Sequence, residues 1–448
     1  MDAQGLKNTK KEGEKKMKKT LRILSLVLAA LLMLTACGKV ETPPAGTGDA
    51  DTVEYGTIPQ VSLKFATEPY PDHTIPYIAV SQGWFEDVGI TLSQVDSIDA
   101  DKLPSVMVAG SYDFASGAPS LFIPSMRQAN FTTFCFSNLF LGYSIMAPAG
   151  TKSYGDFIAE GQEPAEAIVS VMAQMKGQTF TYPSESAIKP FIDLCMEKGG
   201  LTMDDFKSEV LDDSNGVALM LAGRAQFKVG GVPATATLTS NGFIPILSSA
   251  DIASAAEASV DSVEIRSILH NGWTTTKEFA ANNHDTILRL ASVCFRMNQY
   301  VHDNPAEAAA IHVDYVNSIA GTSFTKEEVE GLYASVLPLY TFDMQKDWME
   351  NTSDPLYWEY EIGSTIKMYE EQGMFNAGEF TPADIVSANT VYAELKDLRA
   401  QADANLAQLA DAEGQAAELK AKAEYQYSIF NYLDAANFSA QALELMGA

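Results

Sequence analysis

The sequence predicts two α/β lobes joined by a hinge, followed by a helical extension. Three observations carry this. Short apolar runs of strand character alternate with helical segments of about ten residues from Val61 onward. The alternation restarts after residue 141, giving a second series. Beyond Phe380 the composition shifts to Ala, Glu, Gln, Lys and Leu with a helical period.

The N-terminus reads as a targeting segment. Lys15, Lys16, Lys18, Lys19 and Arg22 precede an apolar run from Ile23 to Leu34, and Leu34-Thr35-Ala36-Cys37 closes it. The run is shorter than the roughly 20 residues a spanning helix needs, so it is expected to be a signal-peptide core. Small residues before a cysteine form a lipobox, which makes residues 1–36 a lipoprotein signal peptide and Cys37 the lipidated residue. Met17 is an alternative start. Several acyl chains on one residue hold a protein stably to a bilayer. Residues 37–58, rich in Gly, Thr and Pro, read as a tether.

Strands are expected at 61–66, 90–95, 112–116 and 131–137, with helices at 75–85, 101–109 and 119–128 between them. The second series places strands at 143–147, 178–182, 208–211, 226–230 and 243–247, and helices at 163–175, 184–198 and 216–222. Lobe one therefore comprises 59–141 and a mostly helical return at 248–380, and lobe two spans 142–247. Helices are expected at 286–301, 305–318, 326–337 and 355–372. Residues 381–448 form the extension, expected as a helical hairpin or one long helix. Val391, Leu395, Leu398, Ala402, Leu406 and Leu409 recur at the spacing of an amphipathic helix.

Composition narrows the function. With 30 basic and 58 acidic residues the net charge is −28, which repels nucleic acid and favours solubility. Beyond Cys37 only Cys135, Cys195 and Cys294 remain, irregularly spaced among apolar neighbours. They read as small buried hydrophobes rather than a disulfide or zinc framework. The five histidines show no metal-ligand spacing, and no phosphate-binding, dinucleotide-binding or nucleophile-elbow motif is present. No cofactor, no metal and no catalysis are expected.

A family resemblance can now be stated. The stretch from Ile75-Pro76-Tyr77 through Gly83-Trp84-Phe85 to Gly89-Ile90 resembles the first helix and strand of the nitrate/sulfonate/taurine and thiamine-pyrimidine substrate-binding proteins of ABC importers. Ala109-Gly110-Ser111-Tyr112-Asp113-Phe114 and Met175-Lys176-Gly177 resemble later elements of that family. So do Gly200-Leu201 with Asp205-Phe206, Leu221-Ala222-Gly223, and Asn304-Pro305-Ala306-Glu307. Gln226 stands where the family has an acid, and the helical tail lies outside its pattern. The resemblance covers 61–375 and implies a type II periplasmic-binding-protein fold with an interlobe cleft. It further implies a small-molecule ligand, an importer permease as partner, and a lipid-anchored extracytoplasmic location.

The resemblance also implies which loops face the cleft. Lobe one would supply Tyr70, His73 and Thr74, then Gly117, Ala118 and Ser120, then Asn138 and, on the return strand, Trp273. Lobe two would supply Ser184, Glu185, Ser186 and Gly231. Ser184 alone would suit a helix N-cap, and Trp273 or Tyr70 could equally be core. These loops are short of Arg and Lys, and Glu185 opposes an anion. They favour a neutral or cationic heteroaromatic ligand, such as a pyrimidine or vitamin precursor. The alternative is a small anion held by backbone N–H groups. Two rivals of other classes remain. One is a pyrimidine-synthase-like enzyme, although Phe134-Cys135-Phe136 offers no cysteine cluster. The other is a scaffold lipoprotein acting through its tail.

Overall fold

The computed structural model describes residues 55–447, so the signal-peptide, lipobox and tether assignments at 1–54 lie outside the described residues. Ten strands form two five-stranded sheets. The first holds β1 (Val61–Thr67), β2 (Ile90–Ser97), β3 (Phe114–Gly117) and β4 (Phe131–Phe140). The second holds β5 (Ser144–Pro148), β6 (Thr179–Tyr182), β7 (Lys207–Val210), β8 (Phe227–Gly230) and β9 (Phe243–Ser248). The tenth strand, β10 (Leu269–Thr276), returns to the first sheet.

The orders are β2-β1-β3-β10-β4 and β7-β6-β8-β5-β9. In each sheet four strands run in one direction and one runs antiparallel to both its neighbours: β10 between β3 and β4, and β5 between β8 and β9. Parallel strands need helical crossovers that cover both faces, so they are buried. Accordingly β4, Phe-Thr-Thr-Phe-Cys-Phe-Ser-Asn-Leu-Phe, is buried at every residue. The edge strand β7, Lys-Ser-Glu-Val, is exposed throughout.

The chain passes from the first sheet to the second through Leu141-Gly142-Tyr143 and returns after Ser248. The β10 strand is buried yet polar, and its side chains find partners inside the sheet. Thr274 shares a hydrogen bond with Thr133 at 2.7 Å, and Thr275 donates to the Asp113 carbonyl at 2.6 Å. Gly272 has a backbone reason: a Cβ there would lie 2.3 Å from the Cys135 carbonyl oxygen.

Several helix boundaries differ from expectation. The 75–85 helix is two short pieces, Pro71–Thr74 and Tyr77–Ser81, ended before Gly83, which adopts a left-handed φ. The helix expected from residue 184 begins only at Lys189, so Ser184 is no N-cap and Glu185 and Ser186 sit on a loop. The extension is three helices, not a hairpin: Ala388–Gln408, Gly414–Ser428 and Tyr432–Met446. The last break falls at Phe430, whose φ is 68°, and at Asn431, which caps the following helix through its side chain.

The extension packs on the first lobe. Arg289 in the helix His284–Asp303 makes a buried two-pronged pair with Asp434, at 2.8 and 2.9 Å. Phe342, Tyr392 and Tyr432 form an aromatic cluster beside it. The outer edge of β4 is covered as well. Thr133 exchanges backbone hydrogen bonds with Ile385 and Ser387, and Leu139 and Leu141 donate to the carbonyls of Pro338 and Val336. Covering an edge removes its unpaired backbone groups from solvent and from other chains. Cys135, Cys195 and Cys294 are buried free thiols. No described helix is long and apolar enough to cross a membrane.

Candidate functional site: an acidic cavity between the two sheets

A small cavity, with about 20 Å³ of free space, lies where the two lobes meet. The loop after β1 gives it Glu68, Tyr70, Asp72 and His73, and the turn after β3 gives Ala118. Phe140 and Tyr143 come from the crossing between the sheets, Glu185 and Ala187 from the loop after β6, and Gly231 and Val232 from the loop after β8. These are carboxyl ends of strands, where open α/β sheets place ligands.

The carboxylates are the chemical feature. Glu68 and Asp72 are buried on lobe one, and Glu185 is partly buried on lobe two. Burial raises Glu68 well above the usual carboxylate range, and the charges of Glu185 and Asp72 add to it. Burial, joined by the charge of Asp213 and opposed by the hydrogen bond from Tyr70 and the charge of Lys228, lifts Glu185 to about 7. Lys228, buried on β8, is already paired with Asp213 at 2.6 Å. The His73 Nε2 lies 3.6 Å from Glu68 Oε1 and 3.4 Å from Asp72 Oδ2. Burial holds its pKa below the usual value, against the pull of Asp72, so it is a weak counter-ion.

Several side-chain contacts join the lobes, among them Lys189 and Asp193 with Gln372, and Lys198 with Glu264. The Tyr70 hydroxyl donates to Glu185 Oε2 at 2.7 Å, and the Ser186 hydroxyl donates to the Leu121 carbonyl at 3.1 Å. Tyr70 and Glu185 also face a wider mouth lined by Asp99, Asp101, Asp212 and Asp213. Their hydrogen bond thus stands between the inner cavity and the mouth.

Of the residues named from sequence, Tyr70, His73, Ala118, Glu185 and Gly231 line the inner cavity. Ser184 lines the mouth. Gly117 stands behind the cavity, where a Cβ would come within 3.0 Å of Glu68 Oε1. The others lie elsewhere. Thr74 spends its hydroxyl on the Tyr70 and Pro71 carbonyls and on His312 Nε2. Asn138 is occupied within its strand by Ser137 and the Leu139 carbonyl. Ser120 is buried away from the lining, its hydroxyl without a partner among the described residues. Trp273 is fully buried between Phe65, Phe85 and Phe114, so it is core and not cleft wall.

Sequence reasoning did not single out Glu68, Asp72, Phe140 or Tyr143. Glu68 and Asp72 stood in a loop already assigned to the cleft, but among 58 acids no one carboxylate announces itself. Phe140 and Tyr143 flank the crossing at Leu141, and that proximity was the available signal.

The strand orders, the two crossings and the cavity define a two-lobed periplasmic-binding-protein fold with an added helical extension. Solved structures of that fold are similar to this chain. One is a putative sulfonate ABC transporter periplasmic sulfonate-binding protein, SsuA, from Methylobacillus flagellatus KT. It has a TM-score of 0.53 and 11% identity, covering 77% of this chain and 96% of that one. Another is the periplasmic nitrate-binding protein NrtA from Synechocystis PCC 6803, with a TM-score of 0.51 and 13% identity over 75% and 89% of the two chains. A third is the ligand-binding component of an ABC-type import system from Staphylococcus aureus, solved with zinc bound. Its TM-score is 0.51 at 12% identity, covering 75% and 99%. No protein-family profile matches the sequence, and no curated protein matches it.

Proposed function

We propose that this protein is an extracytoplasmic solute-binding lipoprotein that captures a small organic molecule between its lobes and delivers it to an ABC-type importer without altering it. The observation that carries the reading is the cavity lined from both lobes and bridged by Tyr70 and Glu185. A ligand touching both halves has more contacts in the closed state than in the open one, and so selects closure. The likeness of fold to proteins named as sulfonate-binding and nitrate-binding supports the same use, and the lipobox ending at Cys37 supports an anchor on the outer face of the cell membrane.

The cavity lining favours a neutral or cationic ligand over nitrate or a sulfonate, because an anion would face Glu68, Asp72 and Glu185 with no Lys or Arg among the lining residues. Binding without turnover is the reading that the names of the similar proteins support. A thermal-shift screen of vitamins, pyrimidines, amines, sulfonates and nitrate tests the reading. A ligand at 100 times its Kd stabilises the folded state by about 2.7 kcal/mol, a clear rise in Tm. Conversion of any such compound by the purified protein would contradict it. For the anchor, Cys37→Ser should move the protein from the membrane fraction to the soluble one.

A further inference from the structure

We propose that the ligand is a small organic cation bearing N–H donors, held by Glu68 and Asp72 of the first lobe and Glu185 of the second. This rests on the solute-binding reading and names its ligand class. Three acidic side chains line the cavity and no Lys or Arg offsets them: Lys228 is committed to Asp213 and does not reach the lining, and burial holds the pKa of His73 below its usual value. Acidity alone would be uninformative. The second observation is that Glu68 Oε1 and Asp72 Oδ1 accept no hydrogen bond among the described residues, although their residues are only 3% and 5% exposed. Both side chains line the cavity. A buried acceptor without a donor is destabilising, more so when charged, and a ligand supplying the donor removes that cost.

The geometry discriminates among cations. A quaternary ammonium ion would satisfy the charge but leave both acceptors empty, whereas an amidinium, a primary ammonium or a protonated aminoheterocycle fills them. Tyr70, Phe140 and Tyr143 give the cavity aromatic walls, which suit a flat cation. The inner cavity has only about 20 Å³ of free space, and the mouth that shares Tyr70 and Glu185 with it adds about 500 Å³. No group of three described residues is spaced to hold a metal ion, which directs the acidic lining towards an organic cation.

Proton balance supplies an independent signature. In the empty cavity burial raises both Glu68 and Glu185; Asp72, Tyr70, Asp213, Lys228 and the neutral His73 are the groups facing them. A cation that pairs with their ionised forms must displace protons, so its affinity rises with pH, which a neutral ligand's need not.

The test uses purified protein with benzamidine, agmatine, benzyltrimethylammonium, uracil and benzenesulfonate, by thermal shift and calorimetry at pH 6 and pH 8. Benzamidine or agmatine should raise Tm, bind at least tenfold more tightly at pH 8 than at pH 6, and exceed the other three at least tenfold. Glu68→Gln and Asp72→Asn should each weaken that binding at least tenfold without lowering the Tm of the empty protein. That pairing separates a ligand contact from a structural role. Preference for benzenesulfonate or uracil, or unchanged binding in Glu68→Gln, overturns the cation and leaves solute binding standing. Response to none of the five overturns the cation as well, and solute binding then stands or falls on the broader screen.

Discussion

At the scale of single residues, Glu185 should couple stability to pH. Its folded-state pKa, raised to about 7 by burial and by Asp213, lies above the ordinary 4.5 expected on unfolding. The folded protein therefore binds the proton more tightly, and the stabilisation this gives is present below pH 4.5 and lost as pH rises through about 7. Replacing Glu185 by Gln removes that dependence. In denaturant titrations, wild type should lose stability relative to Glu185→Gln between pH 5 and pH 8, and an equal gap at both values would contradict the assignment. Reading residues from sequence assigned Tyr70, His73 and Glu185 to loops that line the cavity. It failed at Trp273 because an aromatic beside a cleft strand looks the same whether it faces in or out. The three rings around Trp273 come from β1, β3 and the turn before β2, distant in sequence.

At the scale of elements, the extension is bound to the body through a charge pair that cannot lose one member cheaply. Asp434→Ala would leave the Arg289 guanidinium buried, with a cost of about 3–5 kcal/mol. Thermal melting should show a Tm well below wild type, and Asp434→Ala with Arg289→Met should recover much of the loss. If both variants melt like wild type, the extension is not coupled to the lobe in this way. The alternation of strands and helices was legible because hydrophobic period and turn residues agree there. The breaks were less so. The left-handed φ at Phe430 that divides the last two helices is set by tertiary packing, and Phe carries no local signal for it. Similarly, β10 is polar at most positions yet buried, and its side chains are received by Thr133 on β4, the Asp113 carbonyl just before β3 and Asp72 of the helix Pro71–Thr74. Its place in the chain came from family resemblance, since its own residues show no alternation.

For the whole molecule, two sheets with matching order and one antiparallel member each place the ends of their strands against a common cavity. The closed arrangement carries a cost, because it brings Glu68 and Asp72 within range of Glu185 and buries all three in part or in full. Without a ligand the like charges oppose closure at neutral pH, and with a cation the same groups favour it. The two-lobed architecture was readable from the restart of the α/β series, whereas the charge of the cavity required knowing which carboxylates are buried. Interlobe distance is the most direct readout of this cycle. Spin labels at Val108→Cys on lobe one and Val210→Cys on lobe two would occupy exposed positions, while the native described cysteines are buried. Pulsed electron paramagnetic resonance at pH 8 should show a broad set of distances in the empty protein. Adding the compound that most raises Tm should collapse it to one narrow population. A single narrow distance, identical with and without that compound, would show one rigid body and contradict capture by closure.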